Sequence, residues 1–219
     1  PITWFVITGR INGKSAFNGK WDDYKKLIDA GNEIGSHTVR HLHTEDPGWK
    51  GIETEYADSK KAIEDNIKGY KALVLAYPGA PHPELNDPAI AVKYYIGCRG
   101  GAGGVNIANK IAYDNTCSIG GLHIDDSKSE SQNLVTAVEK GKAKNPQLFR
   151  AWYCCHFHSV KSENRDNLTK PLEYVSAKIK SGELWAGLFR DIVMYGQERD
   201  TAKLDVKQVS KEKIVLDIK

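Results

Sequence analysis

The chain has 219 residues, of which 40% are hydrophobic and 27% are charged. Its 31 basic and 28 acidic residues leave a net charge of +3, too mild to predict a nucleic acid or an anionic membrane as the main partner. No apolar run approaches the roughly 18 residues of a membrane-spanning helix. The length of the chain predicts a single α/β domain.

Strand-like apolar runs alternate with amphipathic helical segments along the first 200 residues. Predicted strands are Ile2–Thr8, Glu33–Ser36, Ala72–Tyr77, Tyr95–Cys98, a part of Cys117–Ile124, Arg150–Phe157 and Leu184–Leu188. Predicted helices are Trp21–Ala30, Gly51–Lys68, Asp87–Tyr94, Ser131–Lys142, Leu168–Lys180 and a last one ending at about Arg199. This alternation is typical of a parallel sheet with crossover helices. Six or so units without a dinucleotide fingerprint favour an irregular (β/α) barrel over a Rossmann sheet.

The last segment has a different pattern. Ala202–Gln208 and Lys213–Ile218 alternate apolar and polar residues around a four-residue turn, which predicts a β-hairpin. We therefore assign residues 1–200 to the barrel domain and residues 201–219 to an appendage of that domain. The hairpin either packs on the domain or forms a dimer edge, so a homo-oligomer stays open.

The four cysteines do not form a disulfide framework, and the absence of a C-x-x-C pair disfavours a zinc knuckle or a thioredoxin-type site. Cys154 and Cys155 are adjacent in a strand and point to opposite faces, which disfavours a bridge between them. Buried thiols are favoured over a bridge between Cys98 and Cys117.

Three of the seven histidines lie close together, directly after the predicted strand Glu33–Ser36. They are His37, His41 and His43. In a turn or short helix, the four-residue gap between His37 and His41 places two imidazoles on one face, about 5–6 Å apart. Such a pair can bind one divalent ion at the carboxyl end of a barrel strand. The alternative is a polar turn whose histidines cap backbone groups.

Two other strand ends carry candidate groups for the same edge. By alternation His156 and His158 share a face of the strand Arg150–Phe157, with His158 nearer the rim. The strand Ala72–Tyr77 breaks at Pro78-Gly79, which leaves a backbone N–H suited to a developing oxyanion. The alternatives are a satisfied core histidine and an ordinary turn.

Taken in order, these segments resemble the polysaccharide deacetylase family, carbohydrate esterase family four. The motif His37-Thr-Val-Arg-His41 matches the family's H-[ST]-x-x-H metal motif in full, and Ala76-Tyr-Pro-Gly79 is similar to a variant of its third motif. His158-Ser-Val resembles the H-G-V of its fifth motif. The likeness extends from the first strand through Trp21–Ser36 to the late segment Leu184–Tyr195.

The resemblance implies a (β/α) barrel of about seven strands that removes acetyl groups from carbohydrate polymers, either acetylated xylan or chitin-type chains. It implies a divalent metal, usually zinc, with His37 and His41 as ligands, and a water on that ion as the nucleophile. It further implies His158 as general acid and the Gly79 N–H as oxyanion donor. We predict that Tyr77, Trp152 and Trp185 bind the substrate.

One element of the family pattern does not occur at its expected place. The first motif, T-F-D-D-[GA], supplies an aspartate ligand and the base, and it precedes the strand at which this sequence begins. We therefore expect the barrel to lack its first strand here, and we assign the similar Ile124-Asp125-Asp126 to the end of a late strand. A family member acting on polymers is expected to be secreted or periplasmic.

Three other functions remain open from the sequence. The first is an esterase of altered mechanism, in which water or His43 replaces the aspartates and acts on small esters. The second is a non-catalytic carbohydrate-binding relic whose aromatic rings stack on sugars. The third is a glycosidase, which needs two carboxylates about 5–10 Å apart, and no convincing pair is present.

Overall fold

The computed structural model describes residues 1–13, 19–41, 44–79, 87–100, 105–106, 122–123, 134–139, 151–158 and 165–219. Its centre is a parallel sheet with the order β1-β2-β3-β4. The strands are β1 (Thr3–Val6), β2 (Glu33–Ser36), β3 (Val74–Ala76) and β4 (Gly97–Arg99). Neighbours in the chain are neighbours in the sheet, so the sheet grows in one direction.

Three helices connect these strands: α1 (Trp21–Asp29), α2 (Ile52–Asn66) and α3 (Asp87–Ala91). Helix α1 starts where the Asp23 carboxylate accepts the N–H of Lys20 at 3.1 Å, and it ends at Gly31, whose φ of +81° favours glycine. Helix α2 buries Tyr56 and Ile63 against the sheet, where Ile63 joins a cluster that includes Ile34. Burying these apolar faces stabilises the layers.

The second half of the chain adds short strand pairs and three helices. The pairs are β5 (Val105–Asn106) with β7 (Trp152–Tyr153), antiparallel, and β6 (Leu122–His123) with β8 (Cys155–His156), parallel. The helices are α4 (residues 134–139), α5 (Arg165–Lys180) and α6 (Phe189–Thr201). The predicted strand Arg150–Phe157 is thus divided into two short strands with different partners.

The hairpin at the end of the chain consists of β9 (Leu204–Val209) and β10 (Ile214–Ile218), which pair antiparallel. The predictions of an α/β fold with a parallel sheet and of a C-terminal hairpin are therefore confirmed. None of the helices in the described residues is long and apolar enough to cross a membrane.

The predicted strand Leu184–Leu188 is wrong, because residues 184–188 form an irregular connection. Gly182, with a φ of +75°, ends α5, and the N–H of Leu184 still donates to the carbonyl of Lys178 at 3.2 Å. At the other end, the N–H of Phe189 donates to Thr3 Oγ1 at 3.0 Å. The start of residues 184–188 is therefore bonded to the end of α5, and the residue that follows them is bonded to the side chain of Thr3. Neither bond is a backbone bond to a neighbouring strand.

The described cysteines Cys98, Cys154 and Cys155 are thiols rather than disulfides. Burial raises the pKa of both Cys154 and Cys155 to about 12, so the reactive thiolate is scarce at pH 8. We expect these two thiols to resist iodoacetamide in the native protein and to react after denaturation, as measured by peptide mass spectrometry. Rapid labelling of native Cys154 is the result that would contradict this burial.

Candidate active site

Two of the segments predicted to carry site residues begin directly at the ends of neighbouring strands, β2 and β3. His37 directly follows β2, and its N–H donates to the carbonyl of Val6 at 2.8 Å. Tyr77 directly follows β3, and its N–H donates to the carbonyl of Arg99 at 2.9 Å. The ladder hydrogen bonds therefore continue past the strands and fix where the two following loops begin.

His37 is held as a neutral imidazole with one nitrogen engaged. Its Nδ1 lies 2.7 Å from the carbonyl oxygen of Ala76, and since a carbonyl only accepts, Nδ1 carries the proton and donates. The pKa of His37 is lowered to about 4, chiefly by burial and in smaller part by the charges of His41, Arg99 and His158. At neutral pH the ring is therefore uncharged and Nε2 keeps its lone pair, which is the form that binds a metal.

His41 lies beside His37, with ring centroids 4.9 Å apart and ring planes at 76°. The two rings meet through a loop rather than a helix, because Thr38 and His41 have φ angles of +66° and +62°. The pair fits two ligands of a divalent ion. In the part of the chain that the structure describes, no group of three His, Cys, Asp or Glu side chains is placed to hold a metal. His43 lies outside the described residues.

The loop that carries the two histidines is anchored from α2 by Glu55, whose side chain is only 1% exposed. One carboxylate oxygen accepts the N–H groups of Val39 and Arg40 at 2.9 and 2.8 Å. The other oxygen accepts a hydrogen bond from the guanidinium of Arg40. A buried carboxylate thus binds the middle of the loop, where the left-handed φ of Thr38 adds strain.

The first residues of the loop are fixed by hydroxyl groups. Ser59 on α2 and Ser36 share a hydrogen bond of 2.8 Å, and Ser36 Oγ also accepts the N–H of Thr38 at 3.2 Å. Thr38 Oγ1 in turn accepts the N–H of His41 at 2.9 Å. The Ser/Thr position of the histidine motif therefore shapes the loop directly.

The loop after β1 supports the histidine loop from the other side. The N–H groups of Thr8 and Gly9 donate to the carbonyls of Thr38 and Val39 at 3.1 and 3.0 Å. A Cβ added at Gly9 would lie 2.6 Å from the carbonyl oxygen of Val39, which is shorter than van der Waals contact allows. Gly9 is therefore a packing requirement of the site.

We expect Gly9→Ala to displace the histidine loop, because neither backbone can yield without breaking these bonds. The expected cost is about 1–3 kcal/mol in the free energy of unfolding, with weaker zinc binding. Urea denaturation and zinc titration measure the two effects. Unchanged values for both would show that the contact at Gly9 is not constraining.

His158 is exposed and follows β8, with its ring centroid 6.2 Å from that of His156, the last residue of the strand. It is close enough to the pair for its charge to lower the pKa of His37. His37 and His41 are therefore adjacent, and His158 is near enough to act on His37 electrostatically. Gly79, at the end of the neighbouring turn, is exposed with a φ of +69°, and a Cβ there would meet no atom within 4 Å.

The three aromatic residues predicted to bind substrate lie in different places. Tyr77 is fully buried in a core cluster. Trp152 is 8% exposed and packs against Phe189, with ring centroids 5.0 Å apart. Trp185 is 59% exposed and contacts Tyr195 edge-on. The first two rings therefore serve core packing in the described structure, whereas Trp185 presents an open ring on the α6 side.

Two residues of the site escaped the sequence reasoning. The sequence pattern predicts Glu55 as one of several polar positions of an amphipathic helix. It predicts Arg99 as the start of a glycine-rich loop. A signal for Glu55 existed, because an acid on the inner face of α2 breaks the apolar pattern between Ile52 and Tyr56. Arg99 has no such local signal.

Fold and site together are those of an α/β domain with a histidine pair at the carboxyl edge of a parallel sheet. Residues 1–94 match the family model of the polysaccharide deacetylases. These residues include both histidines of the motif and the turn at Gly79. The resemblance seen in the sequence is thereby confirmed.

A curated relative, a gellan lyase of Bacillus sp, is 32% identical over 238 residues. The match covers 99% of this chain but only 9% of the relative, so the chain spans about a tenth of that protein's length.

Two solved structures are similar. One is the Xyl-CE4 domain of a multidomain xylanase from the hindgut metagenome of Trinervitermes trinervoides, with a TM-score of 0.50 and 13% identity over 88% of this chain and 76% of that one. The other is a polysaccharide deacetylase from Bacillus cereus, with a TM-score of 0.45 and 22% identity over 54% of this chain and 35% of that one. The xylanase domain supports the fold alone.

Proposed function

We propose that the chain is a metal-dependent hydrolase that removes acetyl groups from a polysaccharide or oligosaccharide. The observation that supports it is the pair His37 and His41 directly after β2, with ring centroids 4.9 Å apart, and a third histidine, His158, whose charge lowers the pKa of His37. The family match supports the reaction class, because its members are carbohydrate deacetylases.

The metal proposed for the site is a divalent ion, with zinc favoured. His37 and His41 would hold it, since both rings face one another and His37 is neutral with Nδ1 engaged by Ala76. When bound, such an ion polarises the acetyl carbonyl and lowers the pKa of a water molecule. Two histidines are fewer than the three protein ligands of a usual catalytic zinc site, so a further ligand is expected.

The chain's own groups then have separate roles. His158 is proposed as the general acid that protonates the leaving alcohol or amine, because its ring is exposed and histidine changes protonation near neutral pH. The Gly79 N–H is proposed to donate to the oxyanion, because the surroundings of its α-carbon are open. The anchors at Glu55 and Gly9 keep the histidine loop in place during the reaction.

The substrate is proposed to be an acetylated plant or microbial polysaccharide, with O-acetyl xylan or a similar polymer favoured over chitin. The name of the gellan lyase adds acetylated gellan to the polymers worth testing. Trp185 is the predicted aromatic contact that is exposed enough to stack on a sugar ring.

Acetate release tests the proposal. We expect the chain to release acetate from acetylated xylan, acetylated gellan or chitin oligosaccharides, to lose this activity with a chelator, and to regain it with zinc. Polymer that has been chemically deacetylated is the control substrate. Release that persists after chelation would favour the esterase of altered mechanism, and no release with metal present would contradict the proposal.

We further propose that the sheet is part of an irregular (β/α) barrel formed by residues 1–200, with residues 201–219 as its appendage. The sequential order β1-β2-β3-β4 supports this, because a doubly wound sheet reverses its strand order and a barrel does not.

A further inference from the structure

The indole of Trp185 has different surroundings from those of the other tryptophans. All five tryptophans lie in the described part of the chain, and the four that are buried or half-buried are Trp4, Trp21, Trp49 and Trp152. Trp185 is 59% exposed, and Tyr195 beside it is 53% exposed. Their ring centroids are 5.6 Å apart with 72° between the planes, so the rings form one open aromatic patch. Large rings that contact each other and water indicate a binding surface.

The patch lies on the amino side of the sheet, opposite to the histidine loop. Helix α6 follows the amino edge, because the N–H of Arg190 donates to Glu33 Oε2 at the start of β2, at 3.2 Å. Farther along α6, Gln197 Nε2 donates to the carbonyl of Ile96, directly before β4, at 3.4 Å. A four-residue strand separates the two edges by on the order of 10 Å. One sugar unit with its acetyl group at the histidines therefore does not reach Trp185.

The indole is held in place by a glycine and by α6. A Cβ added at Gly187 would lie 3.2 Å from Trp185 Cζ2 and 3.2 Å from Ile192 Cγ1, so this position needs a residue without a side chain for the indole to pack where it does. The ring of Tyr195 contacts the indole edge-on. Because the indole is already packed on these sides, little conformational freedom is lost when a ligand covers its open part.

The size and the border of the patch favour a sugar chain over a protein. Aromatic side chains bury about 150–250 Å² each, so two half-exposed rings offer far less than the ~800 Å² that each partner buries in a stable protein interface. Asp191 and Glu198 lie about one helical turn before and after Tyr195, and both are exposed. Their carboxylates can accept hydrogen bonds from sugar hydroxyl groups, while the C–H face of a pyranose ring covers an aromatic ring.

We propose that Trp185 and Tyr195 form a second carbohydrate-binding site, separate from the histidine loop, that binds another part of the same polysaccharide chain. The choice of a polysaccharide rests on the proposed function, because a hydrolase that acts on polymers has a substrate long enough to reach both edges of the sheet. Binding at a second point raises the affinity for the polymer without a new contact at the histidines.

Affinity electrophoresis in gels that contain xylan, gellan or soluble chitin derivatives measures polymer binding without any reaction. We expect Trp185→Ala to weaken binding of the preferred polymer about tenfold, as for a central aromatic contact. Tyr195→Ala should weaken it less, and Gly187→Ala, which displaces the indole, should fall between Trp185→Ala and wild type. Val209→Ala is the matched control, because it shortens an apolar side chain that is 69% exposed on the hairpin, and it should bind like wild type.

A second measurement uses only the wild type. In protein with ¹⁵N-labelled tryptophan, we expect a tetrasaccharide of the preferred polymer to shift the indole N–H resonance of Trp185, with and without a chelator present. Equal polymer binding by Trp185→Ala and wild type, or a resonance that no tetrasaccharide moves, would overturn the inference. A shift that a chelator abolishes would also overturn it, because the patch would then depend on the metal site.

Neither measurement requires acetate release, so the two proposals fail separately. Polymer binding that depends on Trp185, without release of acetate from any acetylated polymer, would contradict only the proposed function. Acetate release by a wild type whose polymer binding is the same as that of Trp185→Ala would contradict only the second binding site.

Discussion

We expect His41→Ala to abolish the binding of one zinc ion per chain, and His158→Ala to bind zinc like wild type but to lose turnover about 10²–10⁴-fold. The reason for the first is that His37 alone is one ligand, and zinc sites in proteins need three or four. The reason for the second is that a general acid contributes about that factor without holding the metal. Zinc affinity from competition with a fluorescent chelator and acetate release from polymer measure the two effects.

His156→Ala is the matched control, because His156 ends β8 only two positions before His158. We expect it to keep both zinc binding and most of the turnover. Full zinc occupancy in His41→Ala would show that the histidine loop is not the metal site. Loss of zinc in His158→Ala would show that this ring is a ligand rather than the acid.

The sheet and its edge could be predicted from local pattern. The strand Glu33–Ser36 has the bounds predicted for it, and α1 ends one residue before its predicted end. Short apolar runs bounded by glycine and by polar turns fix such elements locally, and parallel strands then place their carboxyl ends at one edge. The position of His37 beside the turn at Gly79 follows from that rule without knowledge of any tertiary contact.

The residues that sequence reasoning missed depend on contacts between distant elements. The apolar run at Leu184–Leu188 has the composition of a strand, yet its ends bond to α5 and to Thr3. Tyr77 and Trp152 are predicted from the sequence to bind substrate, but packing places both rings in the core. The position of Arg99 opposite Ala76 depends on the register between β3 and β4. No sequence window contains these relations.

Glu55→Ala is expected to weaken zinc binding and the fold together, because one carboxylate holds two loop amides and the Arg40 guanidinium. Breaking a buried pair costs roughly 3–5 kcal/mol, and the 30% exposure of Arg40 moves the expected loss toward the lower end. Glu55→Gln keeps an oxygen for the amides but loses the charge, so it should fall between Glu55→Ala and wild type. Urea denaturation gives the free energy of unfolding, and zinc titration gives the affinity.

A second variant of α2 separates loop anchoring from general stability. Ile63 is fully buried on the same helix and packs in the cluster with Ile34 and Val6, away from the loop amides. Ile63→Ala should cost about 2–5 kcal/mol, similar to Glu55→Ala, while leaving zinc affinity in the folded protein unchanged. If both variants bound zinc equally well at equal loss of stability, α2 would merely support the sheet. A tenfold or greater loss of zinc affinity confined to the Glu55 variants would show that this carboxylate positions the histidines. The left-handed backbone at Thr38 and His41 is strained, and it is kept only while surrounding contacts such as Glu55 hold it.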